Sequence, residues 1–281
     1  MTSTGFARRR PDTDFRVGSV LRQAFAVLAS GTGIRLTLFA FLLYALAPLA
    51  VQIMEWTGRK PPSWSIPATG IYGIVIFIFT LTMALSGAGQ HLCEGRFVFT
   101  ACLRHTTRRA PALLVTFLLA SLLVSLPFIV TGTLLDFATR ADLPLFSGNL
   151  LTLHAITAFL AFLIAVRVAI STTICVIEKA GPISSIRRSF RLTKTQLWKV
   201  HAVVLAALLL FFAAPLSDLL IWFGPRLARS IPVHRTVLAW GSQFLRTTAF
   251  TLTPIITTAL LLNLRRSAEL PPNEELVRVF E

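Results

Sequence analysis

Residues 111–135 read PALLVTFLLASLLVSLPFIVTGTLL, a run without a single charged side chain. The hydrocarbon core of a bilayer is about 30 Å thick, so a helix needs about 20 mostly apolar residues to cross it. Unpaired amide groups in hydrocarbon cost several kcal/mol each, so such a run has to be helical. Five more stretches read the same way, and the predicted spans are 34–54, 66–87, 111–135, 151–177, 200–223 and 238–264. The expected fold class is an all-α, polytopic membrane helix bundle of about six transmembrane helices.

Composition agrees with the runs. Of 281 residues 54% are hydrophobic and 14% charged, against nearer a quarter charged in soluble domains, and mean hydropathy is +0.72. The expected organisation is a disordered basic arm at 1–14, a membrane domain over 15–266 and a cytoplasmic tail at 267–281. The start carries Arg8, Arg9 and Arg10 with no apolar stretch behind them, so no cleavable signal peptide is expected and the first span acts as its own insertion signal.

Lysine and arginine set the orientation. The N-terminal segment through Arg22, the segments 90–110 and 178–199 and the C-terminal segment from Arg265 hold 18 of them, while the alternate connections hold 6. The positive-inside bias therefore predicts both termini in the cytoplasm. The same distribution argues against nucleic acid as the partner of a chain of net charge +15, because the cations flank apolar spans where anionic headgroups lie. Trp56, Trp64, Trp222 and Trp240 fall near outer span ends and Trp198 near an inner one, as ring anchors at headgroup level do.

Two basic-side segments have helical periodicity. From Val17 the apolar set is Val20, Leu21, Ala24, Val27 and Leu28; from Ile183 it is Ile186, Phe190 and Leu197, with Arg187, Arg188, Arg191 and Lys194 on other faces. Both fit amphipathic helices in the inner interface or, alternatively, helices packed on the bundle ends. A threefold internal repeat also emerges. Leu21-Arg22, Leu103-Arg104 and Ile186-Arg187 each precede a proline-containing span (Pro48, Pro127, Pro215), and Glu94 and Glu178 stand 84 residues apart. The repeating unit is one amphipathic helix followed by two spans.

Ionisable residues inside spans are candidates for function, since a charge at the bilayer centre costs about 2.5–3.5 kcal/mol or more. Arg35 lies at the start of the first span and can reach phosphate. Arg167 lies deeper, as a contact for lipid phosphate or another anionic ligand, or as an arginine fixed by helix-end carbonyls or a carboxylate. Asp218 and Arg246 are a candidate intramembrane ion pair between the fifth and sixth spans. Arg187, Arg188, Arg191 and Lys194 are candidate lipid contacts. Cys93, Cys102 and Cys175 form no CxxC pair, and His91, His105, His154, His201 and His234 form no HExxH. No GxSxG elbow or phosphate loop occurs, so no catalytic set, cofactor or metal is expected. The threonines of the last span read as packing surface.

The segment Val176-Ile177-Glu178-Lys179-Ala180-Gly181-Pro182, followed by Ile186-Arg187-Arg188-Ser189-Phe190-Arg191-Leu192-Thr193-Lys194 and Trp198-Lys199, resembles a bacterial family. That family is the membrane domain of glycerophosphoryl diester phosphodiesterase and related inner-membrane proteins. Arg167 and Asn263-Leu264-Arg265-Arg266 also resemble its pattern, while Thr195 replaces its usual glycine. The resemblance implies a membrane domain over Phe15 to Arg266. In the family, hydrolysis belongs to an appended soluble barrel of about 250 residues, for which the segments outside the spans have no room. The expected function is that of a non-enzymatic inner-membrane protein whose basic cytoplasmic helices engage anionic lipid or a protein partner, and the resemblance implies a role in envelope or lipid homeostasis. A small-solute or lipid transporter is the alternative, and a membrane enzyme acting on lipid headgroups a third.

Overall fold

The computed structural model describes residues 16–57, 65–140, 150–194, 196–223 and 232–269; some side chains within these helices, among them those of 211–223 and 232–239, lie outside the description. The described residues form helices and short connections, with no strand among them: α1 (Val17–Ala29), α2 (Gly31–Trp56), α3 (Ser65–Glu94), α4 (Phe99–Arg140), α5 (Leu150–Val168), α6 (Ser171–Ile177), α7 (Pro182–Lys194), α8 (Leu197–Phe223) and α9 (Pro232–Glu269). Each span drawn from sequence falls on a helix or, for 151–177, on the pair α5–α6. Four stretches are long and apolar enough to cross a membrane: Gly70–Glu94, Phe99–Phe137, Thr152–Ile177 and Trp240–Ser267. α1 with the first part of α2 passes the same test as a bent pair, and the part of α8 with described side chains, Leu197–Leu210, is a shorter apolar helix. The protein is an all-α, multi-pass membrane bundle.

Local chemistry explains the breaks. Between α1 and α2 the chain bends by 70°. Ser30 caps α2, accepting the Gly33 amide on Oγ at 3.4 Å and donating to the Val27 carbonyl at 2.6 Å. Gly33 is obligatory here, since a Cβ would stand 2.3 Å from the Val27 carbonyl oxygen. Span ends also use left-handed residues: Gly95 after α3 and Lys179 after α6 have φ of +67° and +55°. Pro182 then opens α7, where its missing amide hydrogen costs nothing.

The element order follows the repeat read from sequence, with one difference. α1–α2–α3 and α7–α8–α9 each set a short helix before two long ones. In the middle unit the short helix is fused to its span, so α4 runs for 42 residues through Pro111 and Pro127. At 1.5 Å per residue that is about 63 Å, twice the hydrocarbon thickness. Its first three turns, with Arg104, Arg108 and Arg109, therefore project beyond the hydrocarbon.

Packing relates the units cyclically. α1 packs on α9, the start of α4 on α3, and α7 on α6, so each short helix lies against the second span of the unit before it. The buried positions correspond too. Val20, Cys102 and Ser185, 82 and 83 residues apart, are fully buried, as are Ala24, Thr106 and Ser189 at the same spacings. All but Val20 are small, and small side chains at i and i+4 let the helix axes approach, which drives association where lipid tails are as apolar as the protein. The main core gathers Val20, Ala24 and Val27 of α1, Val200 and Val203 of α8, Ile170 at the start of α6 and Ile174 within it, and Ile255, Ala259 and Leu260 of α9.

Hydroxyls of α9 behave mainly within their own helix. Thr247, Thr251 and Thr258 donate to the carbonyls of Gln243, Thr247 and Pro254 at 2.8–2.9 Å. Among the α9 threonines, Thr257 accepts a bond from another helix, that of Thr173 at 3.0 Å.

Candidate functional site

The site grows from the α6–α7 corner. α7 has three distinct faces. Ser185, Ser189, Leu192 and Thr193 are buried against the bundle, and Ser189 donates to the Arg167 carbonyl at 2.5 Å. On the other side Ile183 and Phe190 are exposed, and Ile186 is half-buried. The apolar stripe expected from sequence therefore points away from the core, and the serine face does the docking. Size decides this: serine permits close approach and still satisfies its hydroxyl on a backbone carbonyl.

Between that stripe and α4 lies a groove of about 350 Å³, lined by Leu119, Leu122 and Leu123 of α4 and by Ile183, Ile186, Arg187 and Phe190 of α7. Arg187 is the one charged group in this lining. Arg187, Arg191 and Lys194 are exposed. Helical phase places the three on one flank of the apolar stripe. An acyl chain in the groove would have its headgroup phosphate beside cations.

Arg188 has a different task. It forms an ion pair with Glu178, whose side chain is only 13% exposed, and Arg265 of α9 approaches the same carboxylate at 3.7 Å. Glu178 thus ties together the end of α6, the middle of α7 and the end of α9. On the far side of the same turn, Arg109 donates to the Lys179 carbonyl at 3.2 Å. Of the four α7 cations proposed as lipid contacts, three are exposed and Arg188 is committed to an internal carboxylate.

Arg167 sits in the last turn of α5, half-buried, two residues before the α5–α6 break. Its backbone receives the Ser189 hydroxyl, and among the described residues no carboxylate pairs with its guanidinium. Sequence could not place the break, because Ala169-Ile170 offers neither glycine nor proline; the local sign is Ser171, whose hydroxyl donates to the Val168 carbonyl at 2.6 Å. Of the expected Asp218–Arg246 pair, Arg246 is half-buried on α9, while the Asp218 side chain lies outside the described residues. Residue 195 lies outside them as well.

A second cavity, of about 440 Å³, opens beside the same break. Ala165, Val168 and Thr172 meet Ala120, Ser121 and Ser125 of α4, Leu81 of α3 and Pro254 of α9 there, with no charged group in the lining. At the corresponding junction of α2, α3 and α9 the space is filled: Tyr44 stacks on Phe250 at 6.0 Å, and only about 10 Å³ remains.

Cys102 and Cys175 are buried and Cys93 is exposed, all as free thiols. Among the described residues no group of three histidines, cysteines or carboxylates could hold a metal ion. Trp198 is 84% exposed at the start of α8, and Trp240 meets Phe41 edge-on at 6.1 Å. Comparison of the chain with protein-family models, with curated proteins and with solved structures finds no match.

Proposed function

We propose that this is a non-enzymatic protein of a bacterial inner membrane, with both termini cytoplasmic, that engages anionic lipid through α7. The observation that carries the reading is the groove between α7 and α4: apolar along its length, with Arg187 in its wall and Arg191 and Lys194 on the same flank. An acyl chain fits the apolar wall and an anionic headgroup the cations, each worth about 1 kcal/mol near a negatively charged surface. The bias of 18 against 6 Lys and Arg residues supports the orientation. The resemblance of 176–199 to the membrane domain of glycerophosphoryl diester phosphodiesterase supports a role in envelope or lipid homeostasis. A protein partner of the same basic face would use the same cations.

The test is native mass spectrometry of the gently extracted protein in mixed phosphatidylglycerol and phosphatidylcholine. The wild type should retain phosphatidylglycerol preferentially. A variant carrying Arg187→Gln, Arg191→Gln and Lys194→Gln should lose that preference, by about fivefold per cation removed. Equal retention of both lipids by the wild type would sink the proposal.

A second reading, a small-solute or lipid transporter, is favoured by the 440 Å³ cavity beside the α5–α6 break and Pro254. Broken helices near the midplane are where transporters hold cargo. Filling the cavity with Ala120→Phe should abolish any solute flux in liposomes; flux that persists unchanged would exclude this cavity as the path.

A further inference from the structure

The three seams between repeat units on the basic face are built alike but filled differently. At the α9–α1 seam Asn263 donates to Gln23 at 2.9 Å. At the α3–α4 seam Ser86 and His105 are bonded at 2.9 Å. At the third seam Arg188 of α7 meets Glu178 at the end of α6. Gln23, His105 and Arg188 are 82 and 83 residues apart, the spacing of the buried small residues, and Glu94 corresponds to Glu178 at 84.

In the α6–α7 seam an internal carboxylate holds the cations together, with Glu178 between Arg188 and Arg265. In the α3–α4 seam the corresponding carboxylate, Glu94, stands in the cleft wall and is taken up by the exposed Arg96 at 3.2 Å. What remains is a cleft of about 350 Å³, with Ser86, Gln90, His105 and Lys179 in its lining beside the Arg96-paired Glu94. Arg109 stands beside it, held by its bond to the Lys179 carbonyl. If the Ser86 hydroxyl donates to Nδ1 of His105, Nε2 carries its hydrogen and is a donor.

We propose that this cleft binds an external anion bearing a phosphate group, which takes the place that the Glu178 carboxylate holds in the neighbouring seam. The donors are of three kinds: the Lys179 ammonium, the Arg109 guanidinium and the His105 imidazole. A tetrahedral anion with several oxygens answers such a set better than one carboxylate. The cleft is far larger than a carboxylate and has room for whatever the phosphate is esterified to. That phosphate is either a lipid headgroup or a soluble phosphate. The site shares no residue with the α7–α4 groove, so the two proposals stand or fall separately.

The experiment uses the full chain, with thermal unfolding as the readout. It is run in neutral detergent with inorganic phosphate as probe (sulfate and chloride as controls). A second set uses phosphatidylcholine nanodiscs with and without phosphatidylglycerol. The wild type should gain about 2–5 °C at saturating probe. Lys179→Asn, which keeps a residue tolerant of the left-handed backbone, and His105→Gln should each weaken the response at least tenfold; Arg22→Gln, exposed on α1 and outside the cleft, should leave it intact. A response to free phosphate in detergent identifies a soluble anion, and one confined to phosphatidylglycerol nanodiscs and weakened in Lys179→Asn and His105→Gln identifies a headgroup in the cleft. No stabilisation in either setting overturns the proposal. So does an undiminished response in Lys179→Asn and His105→Gln whose unliganded midpoints match the wild type.

Discussion

Replacing Glu178 by Gln removes the charge that joins α6, α7 and α9 while keeping the side chain's shape. The carboxylate is 13% exposed, and its partners Arg188 and Arg265 are 33% and 41% exposed at their side chains. Breaking a fully buried pair costs about 3–5 kcal/mol because one charge is stranded. Here both arginines are near enough to the surface to find water or a headgroup, and exposed pairs are worth at most about 1 kcal/mol. An intermediate loss of about 2 kcal/mol follows. For a chain of this size that is a fall of about 4–8 °C in the unfolding midpoint. The assay is a double-mutant cycle by thermal unfolding in detergent, using Glu178→Gln, Arg188→Gln and the pair. The double variant should be no worse than either single one, giving a coupling of about 1–2 kcal/mol. Losses that add to within about 0.3 kcal/mol would refute the clasp and leave Arg188 as one more surface cation.

Gly33→Ala should cost at least about 2 kcal/mol, because the new Cβ lands 2.3 Å from a backbone oxygen and the α1–α2 bend has to open; a thermal midpoint unchanged from wild type counts against the bend. Ser189→Leu should undock α7, since a fully buried position bonded to the Arg167 carbonyl has no room for the larger side chain; faster proteolysis after Arg187 and Arg188 reads the result. Lys179→Gly should stabilise the protein by up to about 1 kcal/mol by relieving the left-handed backbone, and the Arg109 bond to its carbonyl should survive; a lower midpoint would show that the lysine side chain matters more than the strain.

The spans were legible because hydrocarbon leaves the backbone no alternative, so an apolar run of sufficient length is already a helix. Element boundaries inside the membrane were not. Ala110-Pro111 reads as a place to begin a helix, yet α4 passes through it, since a proline in the interior of a long helix forfeits only one backbone bond and can be accommodated by a kink. The α5–α6 break has no glycine or proline to announce it. On α7 the sequence showed the apolar stripe but not the serine face that docks on the bundle, because serines read as polar and their small size counts only once a neighbouring helix is in place. That phase also decides that Arg188, rather than Arg187 next to it, reaches Glu178.

The cyclic order of the units explains why the basic face has both committed and uncommitted cations. If each short helix docks on the preceding second span through two small residues, the same register brings the next side chains, Gln23, His105 and Arg188, to the same point of each seam. What stands opposite then settles the chemistry. Asn263 meets Gln23 and neutral bonds close that seam; Glu178 meets Arg188 and an ion pair closes the next. Only the middle seam pairs a histidine with cations from the following turn, while its own carboxylate, Glu94, is taken up by Arg96 at the cleft wall. A repeat that conserved all three seams as salt bridges would make a stiffer bundle with nothing to bind. Divergence at this one register position is what turns a packing device into a cleft, so the anion site and the Glu178 clasp are two outcomes of one geometry.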